Sequence, residues 1–239
     1  MEPLIGILGG MGPLATVDLM NKIVEEAAAS RDQGHAPVVT WNVPQVPDRQ
    51  QALMGCGESP VSAMLNGIAK RNLVRATRIA IACNTAHYWF DELSTASKAP
   101  IIHIADATLD MLAASNANEG PVGLVATRGT LAAGFYQARF GAREMQTLTN
   151  TESEIDEFFV PGCYAIKRGE FEKGGQLLQV AAEHLIRRGA TTLVLACSEV
   201  PIAFEKMNSQ LMAISVDPNR ALARACVNYW RHCGIRPMK

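Results

Sequence analysis

The chain lacks the marks of a membrane, secreted or nucleic-acid-binding protein. No apolar run in its 239 residues reaches membrane-spanning length. The opening Met1-Glu2-Pro3-Leu4-Ile5 has neither the basic start nor the long apolar core of a signal peptide, so a cytoplasmic location is expected. Lys and Arg number 22 against 23 Asp and Glu, a net charge of −1, which leaves no electrostatic footprint for nucleic acid. The six cysteines (Cys56, Cys83, Cys163, Cys197, Cys226, Cys233) contain no C-x-x-C pair, which argues against a disulfide framework. They stand among five scattered histidines, so no metal site is expected. With 48% apolar and 19% charged residues the chain is not disordered, and it is long enough to bury one large core or two small ones.

What is present centres on two apolar strands with similar ends. Ile79-Ala80-Ile81-Ala82 runs into Cys83-Asn84-Thr85, and Leu193-Val194-Leu195-Ala196 runs into Cys197-Ser198-Glu199. Each places a thiol at the carboxyl edge of a sheet, where open α/β folds bind ligands. A helix N-terminus after each cysteine is expected to favour the thiolate.

In chain order, Leu4–Leu8 reads as a buried strand, followed by the turn Gly9-Gly10-Met11-Gly12-Pro13, with Pro13 opening a helix. That turn is not G-x-G-x-x-G, so it makes no case for a nucleotide. Val38–Asn42 is a strand, and 43–59 is a long loop holding Asp48-Arg49-Gln50. Ser59-Pro60 opens a helix with the stripe Val61, Met64, Leu65, Ile68 and Leu73, and another helix is expected over Ala86–Ala96. Ile101–Ile104 is a short strand leading to Asp106 and a helix to about Ala114, and 116–120 breaks the pattern.

A second round follows. It has a strand at Val122–Ala126, the turn Thr127-Arg128-Gly129-Thr130, one helix over Leu131–Phe140 and an acidic stretch from Thr149 to Glu157. A helix over Phe171–Arg188, the Cys197 strand, a strand at Met212–Val216 and a last helix from Pro218 complete it. Gly6 to Gly123 is 117 residues, Cys83 to Cys197 is 114 and Asp106 to Asp217 is 111. Three landmarks at nearly one offset indicate a duplicated α/β half with a parallel sheet in each.

These residues are similar to the cofactor-independent aspartate/glutamate racemases, and within them the aspartate branch. The resemblance runs through Gly9-Gly10-Met11-Gly12-Pro13, Asp48-Arg49, Cys83-Asn84-Thr85, Thr127-x-x-Thr130, Lys167 and Cys197-Ser198-Glu199. Glutamate racemases carry Asp-Ser after the first strand and Cys-Thr-His at the second cysteine, and this chain has neither. Ser198 departs from the threonine usual in the aspartate branch, keeping the hydroxyl without the methyl.

The resemblance implies two pseudo-symmetric three-layer α/β domains with mainly parallel sheets and the active site between them. Residues 1–103 with 212–239 would form the N-terminal lobe, and 104–211 the second. It implies no cofactor, an acidic amino acid as substrate, no nucleic-acid or membrane partner, and a homodimer. Cys83 and Cys197 would be the two catalytic acid/base groups, because a thiol's ordinary pKa of about 8.5 lies near operating pH. Met11, Arg49, Asn84, Thr85, Thr127, Thr130, Lys167 and Ser198 would bind substrate, the hydroxyls and amide at the α-carboxylate and the two cations at the second carboxylate. Asp48 would orient Arg49; Glu199 orients a neighbour or caps the helix after Cys197, which the sequence leaves open.

Cys56, Cys163, Cys226 and Cys233 read as small core residues, and His87 and His103 as structural. Two other functions share the pattern: a maleate isomerase-like enzyme of the same superfamily, which keeps both cysteines, and a two-lobed small-molecule binding protein without catalysis.

Overall fold

In a computed structural model the chain divides into two compact units, Met1–Ile104 with Asn219–Lys239, and Ala105–Pro218. The structure describes residues 2–115 and 120–234. Of the break expected at 116–120, residues 116–119 lie outside them, as does the side chain of Leu73 in the helical stripe.

In the first unit β1 (Ile5–Gly9) is buried along its whole length. It pairs in parallel with β2 (Val38–Asn42) on one side and β3 (Arg78–Ile81) on the other. A strand covered on both faces reads as a continuous apolar run, which is why Ile5-Gly6-Ile7-Leu8 shows no alternation. The turn after β1 requires glycine. Gly10 has φ +95°, and a side chain there would run into the backbone of Val43. Thr16 accepts the Gly10 N–H at 2.9 Å and so ties the turn to α1 (Pro13–Ala27).

The loop expected over 43–59 contains a helix, α2 (Arg49–Leu53), because Asp48 caps it by accepting from the amides of Gln50 (2.7 Å) and Gln51 (3.1 Å). α3 (Val61–Leu73) follows, with Ser59 accepting from Val61 N–H at 3.4 Å. The helix expected over 86–96 is a 3₁₀ turn, Thr85–Trp89, continued by α4 (Phe90–Ala96). Of the strand expected at 101–104, only Ile101 bridges to Ile79, and Ile104 already opens α5 (Ile104–Ala114).

The second unit has a parallel sheet in the order β5-β4-β6-β7, formed by β4 (Val122–Leu124), β5 (Thr147–Thr149), β6 (Thr192–Val194) and β7 (Ser215–Val216). The single helix expected over 131–140 is two, α6 (Arg128–Ala133) and α7 (Phe135–Gly141), parted by Gly134 at φ +68°. The acidic stretch is a helix start. Thr151 and Glu154 form a capping box on α8 (Glu152–Glu154), and a π-helical turn, Ile155–Phe159, leads into α9 (Val160–Lys167). α10 (Phe171–Arg187) then packs Leu178, Ala182 and Leu185 into the core with Phe159, Ile166 and Phe204.

α11 (Glu199–Lys206) follows β6. The strand expected over 212–216 is mostly a 3₁₀ turn, Gln210–Ile214, and only Ser215 and Val216 pair with β6. That pairing keeps 212–218 in the second unit, so the return to the first comes at Asn219 rather than at 212. There α12 (Pro218–Gly234) docks on α1: Asn219 donates to Ala15 O (3.1 Å) and Asp18 (2.8 Å), and Arg220 and Arg224 pair with Glu25 and Glu26.

Each sheet reverses direction once. After β1 the chain places β2 on one side and β3 on the other; after β4 it does the same with β5 and β6. The registers match as well: Gly6 lies opposite Ile79, and Gly123 opposite Leu193. The crevice outside such a reversal, at the carboxyl ends, is where α/β sheets hold ligands.

Candidate active site

In the first unit the β1/β3 reversal carries Met11 after β1 and Cys83-Asn84-Thr85 after β3, all buried. Cys83 is 6% exposed, and its backbone is held by a histidine. The His87 ring lies 2.9 Å through Nδ1 from Cys83 O, and Ile104 N–H donates to its Nε2 at 3.2 Å. With Nε2 accepting, the ring is the neutral Nδ1–H form, and that proton is donated to the Cys83 carbonyl.

Arg49 reaches the same edge from α2. Its Nη1 donates to Val46 O (3.2 Å) and Pro47 O (2.9 Å), and its Nη2 to Met11 O (3.4 Å), so carbonyls fix the guanidinium in place. Asp48 supports Arg49 by capping the helix that Arg49 begins, with its carboxylate on the Gln50 and Gln51 amides. Sequence reasoning gives Gln50 no role, yet its amide donates to Thr85 Oγ1 at 3.1 Å. The available signal is the helical cap at Asp48, which aims the next side chains at the strand end.

In the second unit the β4/β6 reversal carries Thr127 and Thr130 after β4 and Cys197-Ser198-Glu199 after β6. Thr127 caps α6: its hydroxyl accepts the Thr130 amide at 3.1 Å and donates to Thr130 Oγ1 at 3.0 Å. Glu199 gathers the rest. Its Oε2 accepts from Cys197 Sγ (3.1 Å) and Ser198 Oγ (3.3 Å), and its Oε1 lies 3.9 Å from Lys167 Nζ. Of the two readings left open for Glu199, its side chain serves as the neighbour's partner. Lys167 is 44% exposed, with its ammonium 5.3 Å above the Tyr164 ring.

Cys163, a core residue by its sequence context, is not only that. It stands one turn before Lys167 on α9, and its Sγ is 3.7 Å from Cys197 Sγ. The spacing of four between Cys163 and Lys167 is the available signal, since it puts both on one helix face.

The expectation that a helix N-terminus draws Cys197 toward the thiolate is corrected. Its thiol is instead pushed well above the ordinary range, by the adjacent Cys163 thiol first, then by burial and the Glu199 carboxylate. Cys197 therefore rests protonated. Cys226 is fully buried and its thiol is pushed up to about 12 by desolvation, as suits a core residue, whereas Cys56 and Cys233 are exposed rather than in the core.

Two matched strand ends, each with a thiol and hydroxyl donors at a sheet reversal, define a class that comparison with known proteins identifies. The family model for Asp/Glu/hydantoin racemases matches residues 8–226. The broad specificity amino-acid racemase RacX of Bacillus subtilis (strain 168) is 23% identical over 233 residues, covering 94% of this chain and 97% of that protein. The aspartate racemase of Picrophilus torridus superposes with a TM-score of 0.83 at 28% identity, over 96% of this chain and 94% of that one. Glutamate racemase isoform RacE1 of Bacillus anthracis shares the fold at 15% identity, with a TM-score of 0.70 over 98% and 83% of the two chains. The chain belongs to the Asp/Glu/hydantoin racemase family, whose members are isomerases. Among the described residues no helix is long and apolar enough to cross a membrane.

Proposed function

We propose that the protein interconverts L- and D-aspartate without a cofactor, through two thiols acting on opposite faces of one Cα. The observation that carries this reading is the equivalence of Cys83 and Cys197. Each lies four residues beyond the strand residue that pairs with Gly6 or Gly123, at a sheet reversal. Racemisation needs one group to remove the Cα proton while the other, still protonated, delivers one. The resting protonation of Cys197 makes it the acid when Cys83 is the base, and the roles exchange in the reverse direction.

Negative charge builds on the α-carboxylate as the Cα proton leaves. Asn84, Thr85, Thr127, Thr130 and Ser198, in the turns and helix starts that follow the strands, offer hydrogen bonds to it. For the second carboxylate of aspartate, Arg49 offers a fixed planar cation and Lys167 a movable one. Lys167 would exchange Glu199 for substrate on binding. Met11 packs at the edge of the same first-unit crevice, and Asp48 and Glu199 act in support. We propose a homodimer, supported by the exposed apolar Leu14, Val17, Met20 and Val24 along one face of α1. Sedimentation at the mass of a single chain would refute that assembly.

Turnover in D₂O tests the chemistry. In early turnover nearly all D-aspartate formed from L-aspartate should carry deuterium at Cα, while the remaining L-aspartate stays largely protiated. Cys83→Ala and Cys197→Ala should each abolish racemisation in both directions. Substantial protiated product from the unmodified enzyme, or full activity in either variant, sinks the two-base reading.

A further inference from the structure

The second unit holds, beside Cys197, a second sulfur that the proposed proton transfer does not use. α9 directs two side chains at the turn after β6: Cys163 faces Cys197 and, one helical turn on, Lys167 faces Glu199. The π-helical turn at Ile155–Phe159 directly precedes α9, a device frequent at functional sites. Cys163 and Cys197 are 7% and 6% exposed, and their sulfurs, 3.7 Å apart, touch. Three of the other cysteines differ in setting. Cys226 is buried in a core, and Cys56 and Cys233 lie at the surface.

We propose that Cys163 and Cys197 are an oxidisable dithiol, a modification site at which hydrogen peroxide closes a reversible disulfide. A disulfide needs its sulfurs about 2.05 Å apart, so the pair must close by about 1.7 Å from 3.7 Å.

The order of events follows from which sulfur the carboxylate already engages. Glu199 accepts the Cys197 S–H at 3.1 Å, which leaves Cys163 as the nucleophile. Cys163, having released its proton, attacks one peroxide oxygen. The O–O bond breaks, hydroxide leaves and takes up that proton, and a sulfenic acid remains on Cys163. The Cys197 sulfur then displaces the sulfenic hydroxyl, and its own proton departs with it as water. Two thiols lose two electrons, one peroxide gains them, and two waters form. Since Cys197 then has neither a proton to give nor a thiolate to take one, the consequence for catalysis rests on the proposed two-thiol reading; formation of the bond does not.

The experiment treats the full-length protein with graded hydrogen peroxide, quenches with a thiol-alkylating reagent, and maps peptides without reduction. The exposed Cys56 and Cys233 report that the dose was sufficient. A peptide pair joining Cys163 to Cys197, two hydrogens lighter than the free pair, should appear with a loss of at least ~10-fold in racemisation rate. Dithiothreitol should reverse both. Cys163→Ser should form no link and, at the same dose, keep the rate it had before treatment.

Oxidised Cys56 and Cys233 with no Cys163–Cys197 link would overturn the proposal, as would a link to any other cysteine. If the link forms in a protein that does not racemise aspartate, the dithiol stands and the proposed function falls. Racemisation with no link leaves the proposed function standing and removes the dithiol.

Discussion

The two strand ends that carry a cysteine are alike in position and different in surroundings. At Cys83 a neutral imidazole holds the backbone carbonyl rather than the sulfur. At Cys197 the sulfur itself is touched, by a carboxylate on one side and a second thiol on the other. The two sheets present equivalent strand ends, and the residues around them differ. On the proposed two-thiol reading, symmetry of the backbone supplies the group needed on each face of Cα. Asymmetry of the neighbours is what pushes the Cys197 thiol up.

The cations differ in the same way, and the largest expected effect tests them. Lys167→Ala and Arg49→Ala should each lower kcat/KM for aspartate by ~100-fold, the scale of removing a charge-assisted hydrogen bond from a dry site. Replacement by the other cation separates them. Lys167→Arg should retain more activity than Arg49→Lys, because an ammonium cannot reach the Met11, Val46 and Pro47 carbonyls together. Neutral amino acids turned over as fast as aspartate would break the assignment of both.

A smaller effect isolates the thiols. Glu199→Gln removes one of the groups that keep Cys197 protonated, so alkylation of Cys197 at pH 7 should rise by ~10-fold relative to Cys83. An unchanged ratio would mean that the carboxylate does not set the difference.

The smallest effect is on stability and compares one partly buried acid in each unit. In the second unit burial raises the Glu154 carboxyl, but the Thr151 amide, His184, Asn150 and Arg188 outweigh it and hold it at about 2. In the first unit burial also raises Glu26, which Arg224 and Arg220 bring below the ordinary range. Because the Glu154 pKa is depressed in the folded chain, its contribution is present above about 4.5 and is lost as pH falls through about 2. Glu154→Gln should therefore cost ~1–3 kcal/mol at pH 7, with the gap from the unmodified protein shrinking toward pH 2. A gap independent of pH would point to packing instead of charge.

Much of the fold, and the placement of the candidate site residues after the strands, is legible in the sequence because it rests on local chemistry. The buried strands lack alternation, Pro13 starts a helix, and Ala-Cys recurs at the strand ends. What escapes depends on partners distant in sequence. β5 is three residues long with threonine at both ends, and it is a strand only because β4 lies beside it. The break at Gly134 needs a left-handed conformation that a helical stripe does not reveal. Cys163 looks like any core cysteine, since only the packing of α9 against the turn after β6 brings it to Cys197.

The docking of α12 on α1 has a bearing on how the chain comes to be folded during synthesis. Asn219, Arg220 and Arg224 meet residues 15–26 across some two hundred positions of sequence. The first unit therefore stays open along α1 until those last helical residues exist, whereas everything the second unit needs has been made by residue 218. Domains usually fold in the order in which they are translated. Here the second unit has all its residues before the first does, since 105–218 lie between the two segments of the first.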